Sequence, residues 1–164
     1  MRRAIAAAAL AAVLLAGCGG ESETVTKDRY ITRADEVCAS LAEGFAAGAA
    51  DPTTPREIAR SADVLADRYG ELVDRIDDIE LPTDPAARRG AAAYVAELRR
   101  NEPRARRLRA AAQRLVAAAD GEDREALGRA GIEVRSALDA FRAGQARADR
   151  LALDYGFAAC GNLS

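Results

Sequence analysis

The 164-residue chain is long enough for a single folded domain with one hydrophobic core. Its 24 Lys and Arg residues against 26 Asp and Glu give a formal net charge of −2, which argues against general nucleic-acid binding. The chain contains no histidine, which excludes Ser-His-Asp and Cys-His catalysis and histidine-ligated zinc or haem. It also lacks a glycine-rich phosphate loop. We therefore expect neither an enzyme nor a bound cofactor or metal.

The start of the chain has the pattern of an export signal. Arg2 and Arg3 precede an apolar run over residues 4–15, which is shorter than the ~20 residues that a membrane-spanning helix needs. The run ends in Leu15-Ala16-Gly17-Cys18, which resembles the lipobox of bacterial lipoproteins. The resemblance implies cleavage before Cys18, acylation of Cys18 and an extracytoplasmic location, anchored by lipid to the cell membrane. An ordinary cleaved signal with an incidental cysteine is the alternative.

This pattern divides the chain into three parts. Residues 1–17 are the predicted signal peptide, residues 18–26 are the lipidated cysteine with a short polar linker, and residues 27–164 are the folded domain. The linker is long enough to hold the domain slightly off the bilayer and too short to let the domain move far from the membrane.

The first two predicted helices are read from their apolar spacing and their stops. One runs from about Lys27 to Ala49, where apolar residues recur every three or four positions, and Asp51-Pro52 ends it. The second begins at Thr54-Pro55-Arg56-Glu57, which combines a capping box with proline at the first helical position, and ends near Glu80.

The third and fourth predicted helices are longer. Asp84 and Pro85 begin the third, whose apolar pattern keeps its phase across Pro103, so we expect one kinked helix that ends at Asp120-Gly121. The fourth starts near residues 122–124 and runs to about Tyr155, with Gly156 as a left-handed cap.

Short connections between four helices predict an all-α, up-down-up-down antiparallel four-helix bundle. This topology places the end of the fourth helix beside the first. Cys38 and Cys160 lie in those two segments and, in an oxidising compartment, predict a disulfide; two free thiols are the alternative. Because the last two helices are longer, we expect their hairpin, around residues 112–130, to overhang the end formed by the first two.

Two short motifs suggest a family. The opening Tyr30-Ile31-Thr32-Arg33-Ala34-Asp35-Glu36-Val37-Cys38 and the closing Tyr155-Gly156-Phe157-Ala158-Ala159-Cys160 resemble those of small, alanine-rich, uncharacterised lipoproteins of actinobacteria. The resemblance covers the architecture of the mature chain, although only about 15 residues carry it. It implies a helical bundle with a disulfide between its ends and a surface location, and it implies no activity.

The second predicted helix carries an acidic stripe opposite its apolar face. A solvated surface is the simple interpretation, and a divalent-cation site at the acidic end of the helix is the alternative. The carboxylates that crowd this end also conflict with the helix dipole, as do Arg88 and Arg89 at the start of the third helix, so we expect these two groups to pair. The carboxylates at the end are Asp74, Asp77, Asp78 and Glu80.

The third predicted helix carries a stripe of arginines. Solvated arginines that complement acidic neighbours are the simple interpretation, and contact with anionic lipid headgroups or wall polymers is the functional one. The stripe consists of Arg89, Arg100, Arg107 and Arg114, flanked by Arg99, Arg104 and Arg106.

Three further polar features face the predicted core. Asn101 and Gln145 fall on the core-facing stripes near Pro103, which predicts a satisfied amide pair, a bound water or a small polar pocket. Asp35 flanks the apolar face of the first helix, where we expect a salt bridge to an arginine of the fourth. Four tyrosines are expected in the core with hydroxyls bonded at its edge: Tyr30, Tyr69, Tyr94 and Tyr155.

We therefore expect a membrane-anchored, extracytoplasmic bundle that acts as a non-enzymatic interaction or structural module at the cell envelope. Its expected partners are the membrane through acylated Cys18, an unknown protein, and anionic lipid or wall polymer through the arginines, but not nucleic acid. A lipoprotein that binds a small ligand or a divalent cation is the second hypothesis.

Overall fold

The computed structural model describes residues 24–48 and 52–162 and forms four α-helices. They are α1 (Lys27–Gly48), α2 (Pro55–Asp77), α3 (Pro85–Asp120) and α4 (Arg124–Tyr155), and a 3₁₀ turn over Cys160–Asn162 follows them. No strand occurs in the described part of the chain. The expected all-α four-helix bundle is thus confirmed. The predicted signal peptide and Cys18 lie outside the described residues.

The helix ends form where the local sequence predicts them. Thr54 and Glu57 make the expected capping box, and the side chain of Asp84 accepts the N–H of Ala87. Gly156 ends α4 with a φ of 108°, the left-handed conformation that favours glycine. At the end of α3, by contrast, the left-handed residue is Glu122, with a φ of 55°, and not Gly121.

The segment between α2 and α3 belongs to the core. Helix α2 ends at Asp77, three residues before the predicted end. Residues 78–84 follow, and within them Ile79 and Leu81 pack against the core. Thr83 donates its N–H to the carbonyl of Val25 at 3.0 Å, and Val25 is itself buried. The folded domain therefore includes Val25, which the sequence division placed in the linker.

Ion pairs between helices fix an antiparallel register for α2, α3 and α4. Arg56 at the start of α2 lies 3.0 Å from Asp120 at the end of α3, and Asp77 at the end of α2 pairs with Arg99. Between α3 and α4, Arg114 pairs with Glu133 at 2.8 Å. Helix α2 therefore follows α3 to the tip of the α3–α4 hairpin.

Helix α1 covers only part of this length. Arg75 of α2 donates to the Ser40 hydroxyl of α1 at 3.0 Å. From that contact α1 continues for about 8 residues and α2 for about 20, so α1 ends roughly 18 Å before α2 begins. The α3–α4 hairpin thus extends past α1, as expected, but the Arg56–Asp120 ion pair shows that it does not overhang α2. Our expectation was right for α1 and wrong for α2, because it aligned the end of α2 with the start of α3.

The core has two parts that follow from this difference in length. The larger cluster fills the half of the bundle that α1 covers and contains all four tyrosines, each at most 7% exposed. The smaller cluster lies near the tip, where Ala62, Leu108 and Ala112 bring α2 and α3 together and Val134 and Leu138 of α4 pack against them. Alanine at these positions lets the helices approach closely.

Pro103 lies inside α3 without ending it, as the apolar pattern predicts. Proline removes the N–H that would bond the carbonyl four residues earlier. The helix nevertheless continues in phase because Leu98 and Ala105, on either side, are both buried in the core.

Helices α3 and α4 pack closely at Gly144. A Cβ atom at this position would lie 1.8 Å from Oδ1 of Asn101 and 2.6 Å from NH1 of Arg104. Such a distance is far inside van der Waals contact, so the approach of the two helices depends on the missing side chain.

We predict that Gly144→Ala destabilises the fold by about 1–3 kcal/mol, because α3 must move away from α4. Gly131→Ala is the matched control on the same helix, because a Cβ there meets nothing within 4 Å. The control should stabilise the protein by about 0.5–1 kcal/mol through helix propensity alone. Urea unfolding measures both variants, and equal effects of the two would contradict this packing.

The capping box of α2 makes stability depend on pH. Backbone N–H groups of Thr53 and Thr54 donate to the carboxylate of Glu57 and lower its pKa from 4.5 to about 2. Because the folded state holds this pKa below its unfolded value, the stabilisation is complete above pH 4.5 and is lost as the pH falls towards 2.

We predict that Glu57→Gln lowers the free energy of unfolding at pH 7 and that its difference from the wild type shrinks between pH 4.5 and 2. Asp139→Asn, which removes an exposed carboxylate in the middle of α4, is the control. Thermal melts across this pH range test the prediction. A difference between Glu57→Gln and the wild type that does not change with pH would disprove it.

Candidate functional site

The two ends of the domain are joined covalently. Cys38 of α1 and Cys160 of the 3₁₀ turn form a disulfide, with their Cα atoms 5.1 Å apart and a sequence separation of 122. The expected pairing is confirmed. On the chain-entropy argument, closing a loop of this length stabilises the fold by up to about 4–5 kcal/mol.

Asp35 holds the same junction by hydrogen bonds. Its carboxylate accepts the backbone N–H groups of Ala158 at 2.8 Å, Ala159 at 2.9 Å and Cys160 at 3.0 Å. The expected salt bridge to an arginine of α4 is therefore wrong. The chain reverses after Gly156, which leaves three N–H groups without helical partners, and Asp35 satisfies them. The sequence motif that links Asp35 to Cys38 thus has a structural explanation.

Aromatic rings fill the space beneath this junction. The ring of Phe157 lies 5.0 Å from that of Tyr94 and 4.9 Å from that of Tyr155, and Tyr30 meets Tyr155 edge to face. The hydroxyls of Tyr30 and Tyr155 have no hydrogen-bond partner among the described residues, contrary to the expected bonds at the core edge. Burial raises the pKa of both hydroxyls, most strongly that of Tyr30. The cluster is therefore structural packing.

The acidic stripe of α2 pairs mainly with α3. Arg109 lies 3.2 Å from Asp63 and also pairs with Asp67. At the end of the helix Asp77 pairs with Arg99, about three helical turns beyond the expected partners. The expected pairing with Arg88 and Arg89 is therefore wrong. Across residues 24–48 and 52–162, no three Asp, Glu, Cys or His side chains lie close enough to hold one metal ion.

Asn101 and Gln145 are both buried but do not pair with each other. Asn101 donates to the Tyr69 hydroxyl at 3.3 Å and accepts from Arg104 at 3.2 Å. Gln145 donates to Asp149 at 2.7 Å, while its Oε1 is buried without a partner in the described structure. Burial raises the pKa of the Tyr69 hydroxyl, so it stays protonated at neutral pH. Of the two amides, only Asn101 has a hydrogen-bond partner at both its oxygen and its nitrogen.

Sequence reasoning missed a buried carboxylate next to this network. The side chain of Glu97 is 3% exposed, and three arginines surround it. Nε of Arg147 lies 3.0 Å from its Oε1, NH1 of Arg104 lies 3.9 Å from the same atom, and NH1 of Arg100 donates to its Oε2. We call these four residues the Glu97 cluster. The sequence pattern that could have revealed this cluster is a carboxylate beside the apolar stripe of α3, with Arg100 and Arg104 on the same side of the helix.

The outer surface of α3 carries seven exposed arginines. Apart from Asp120 at its end, its exposed residues are only Arg, Ala, Pro and Gln. Arg88, Arg89 and Arg107 form no ion pair with any residue that the structure describes. We call this surface the arginine face. Its arginines are Arg88, Arg89, Arg99, Arg100, Arg106, Arg107 and Arg114.

Comparison of the chain with protein-family models, with curated proteins and with solved structures found no match. Among residues 24–48 and 52–162, no helix combines the length and the apolar character that crossing a bilayer requires.

We predict that Asp35→Asn destabilises the protein by at least about 1.5–3 kcal/mol, because hydrogen bonds from backbone N–H groups to a charged acceptor are lost or weakened. Glu36→Gln, an exposed neighbour on the same helix, should change stability by less than about 0.5 kcal/mol. Chemical unfolding under oxidising conditions compares the two. Equal stability of both variants would show that Asp35 does not hold the C-terminal turn.

Proposed function

We propose that this protein is an extracytoplasmic lipoprotein, anchored to the membrane by acylated Cys18, whose helical bundle is a non-enzymatic interaction module at the cell envelope. The lipobox-like sequence that ends in Cys18 supports the anchor. The disulfide between Cys38 and Cys160 supports the location, because such bonds persist in oxidising compartments outside the cytoplasm.

The arginine face is the observation that carries the proposed interaction. Cationic side chains near an anionic bilayer contribute about 1 kcal/mol each, and the attraction reaches only about a Debye length, roughly 8–10 Å. A short tether keeps the bundle within reach of the bilayer. The exposed residues between these arginines are mostly alanines, which leave the guanidinium groups accessible. The partners that fit this surface are anionic lipid headgroups or an anionic wall polymer; a protein partner is also compatible with the interaction module.

Ion pairs with acidic residues of α2 do not account for all the arginines of the arginine face. Arg99 and Arg109 complement the acidic residues of α2, as the simple interpretation expected. Arg88, Arg89 and Arg107 lack such partners in the described part of the chain. These three arginines are therefore the ones that we assign to the envelope.

Binding of a small ligand or a divalent cation is the second candidate. The observation that favours it is the unpaired, buried Oε1 of Gln145, which could accept a hydrogen bond from a ligand. At the acidic end of α2, however, Asp77 is already bound to Arg99. We therefore place this function behind the interaction module.

The anchor is tested on the mature protein from its native envelope. Intact-mass and N-terminal peptide analysis should find a chain that begins at Cys18 and carries acyl chains, whereas Cys18→Ser should leave the membrane fraction. A mature wild-type N-terminus at any other residue, or an unmodified Cys18, would refute the lipoprotein assignment.

The interaction is tested with two charge-matched triple variants. Replacing Arg88, Arg89 and Arg107 by Gln should reduce binding to phosphatidylglycerol vesicles or anionic wall polymer at low salt. The control replaces three exposed arginines of α4 by Gln: Arg124, Arg135 and Arg142. Co-sedimentation with anionic and neutral vesicles, and with isolated wall polymer, measures both. Equal losses in the two variants, or no binding to any anionic surface, would contradict a role for the arginine face.

A further inference from the structure

We propose that the Glu97 cluster is a binding site for a phosphate group, in which Arg100, Arg104 and Arg147 hold the anion. The inference deepens the proposed function and rests on it for the source of the phosphate. A lipid headgroup and a phosphate-containing wall polymer share the chemistry that this site recognises.

The carboxylate of Glu97 fixes the three guanidinium groups in one place. Its side chain is 3% exposed, so its position is set by the packing of α3 against α4. Arg147 reaches Oε1 from α4, while Arg100 and Arg104 reach Oε2 and Oε1 from the following turns of α3. Three flexible side chains are thereby held together before any anion arrives. Such preorganisation reduces the entropy that an anion-binding site must lose on binding.

The cluster keeps unused donors and unbalanced charge. One carboxylate against three guanidinium groups leaves a surplus of two positive charges. Each guanidinium group has five N–H donors. Arg147 contacts Glu97 through Nε, and Arg100 contacts it through NH1, which leaves other N–H groups of both residues available. A phosphate group accepts hydrogen bonds from such donors in pairs.

The exposure of the three arginines increases from the core outward. The side chain of Arg104 is 23% exposed, that of Arg147 is 42% exposed and that of Arg100 is 61% exposed. The cluster therefore opens from a buried carboxylate to the solvent beside the arginine face. Arg147 and Arg100 each donate to a different oxygen of the Glu97 carboxylate. Arg104, 3.9 Å away, is therefore in excess of what a purely structural ion pair requires.

The site requires the fork of arginine, whereas general attraction to an anionic surface requires only positive charge. Lysine substitutions separate the two because they keep the charge. We expect Arg100→Lys and Arg147→Lys each to weaken the binding of inorganic phosphate about tenfold, through loss of paired hydrogen bonds. Arg107→Lys is the matched control on the arginine face, outside the cluster, and should leave phosphate affinity unchanged.

The experiment uses the chain from residue 18 with Cys18→Ser, which retains every described helix and the disulfide. Inorganic phosphate is titrated while NMR follows the Nε–H signals of the arginines, and thermal melts verify that each variant is folded. The expected result is saturable binding that perturbs Arg100 and Arg147 and is lost in their lysine variants. Vesicles of phosphatidylglycerol or phosphatidylcholine and a glycerol-phosphate polymer then compete with phosphate, which distinguishes the two sources.

Other outcomes separate this site from the proposed function. If vesicles or polymer bind through the arginine face while inorganic phosphate does not bind, or binds equally well to all lysine variants, the phosphate site is refuted and the interaction module stands. If no anionic surface binds at all, but phosphate binds at the cluster, the site stands and the proposed envelope interaction fails.

Discussion

The disulfide between Cys38 and Cys160, together with the hydrogen bonds to Asp35, is the constraint on which the rest of the bundle depends. Helix α1 is short, and beyond its packing on α2 it is held mainly at this junction. The junction also encloses the aromatic cluster of Tyr30, Tyr155 and Phe157. Without this junction, only side-chain packing would hold α1 and the C-terminal turn to the rest of the bundle. The buried rings of Tyr30, Tyr155 and Phe157 would then lose part of their packing.

The length of α1 divides the bundle into two halves with different cores. In the half that α1 covers, the core is large and aromatic, and it is closed by covalent and hydrogen bonds. In the other half α2, α3 and α4 pack through small residues such as Ala62 and Ala112. Helix α3 runs through both halves and presents one surface along its whole length. Helix α3, rather than any loop, therefore carries the arginine face and, together with Arg147 of α4, the Glu97 cluster.

Much of the fold could be predicted from local sequence signals. The capping box at Thr54, the cap at Asp84 and the left-handed Gly156 are local features, so helix boundaries followed from them. The short connections predicted the topology, and the positions of the two cysteines agreed with it. The register between helices could not be predicted, since it depends on which surfaces meet. That is why the pairing of Asp77 with Arg99 and the reach of α2 to the hairpin tip were missed.

The candidate site was predicted only in part, for the same physical reason. The arginines of α3 were visible as a stripe, because one helix has a known period. Glu97 was not recognised as buried, because its burial depends on Arg147 from a helix 50 residues away in the chain. Asp35 was assigned a side-chain partner because sequence patterns do not show where an irregular turn directs its backbone N–H groups.

Unfolding of the oxidised and reduced protein, combined with peptide mapping of the disulfide, tests the central claim most directly. The account predicts a single linked peptide pair that contains Cys38 and Cys160, and a loss of about 2–5 kcal/mol on reduction. Hydrogen exchange should then increase first in α1 and the C-terminal turn. Unlinked cysteines, or a reduced protein as stable as the oxidised one, would contradict the account.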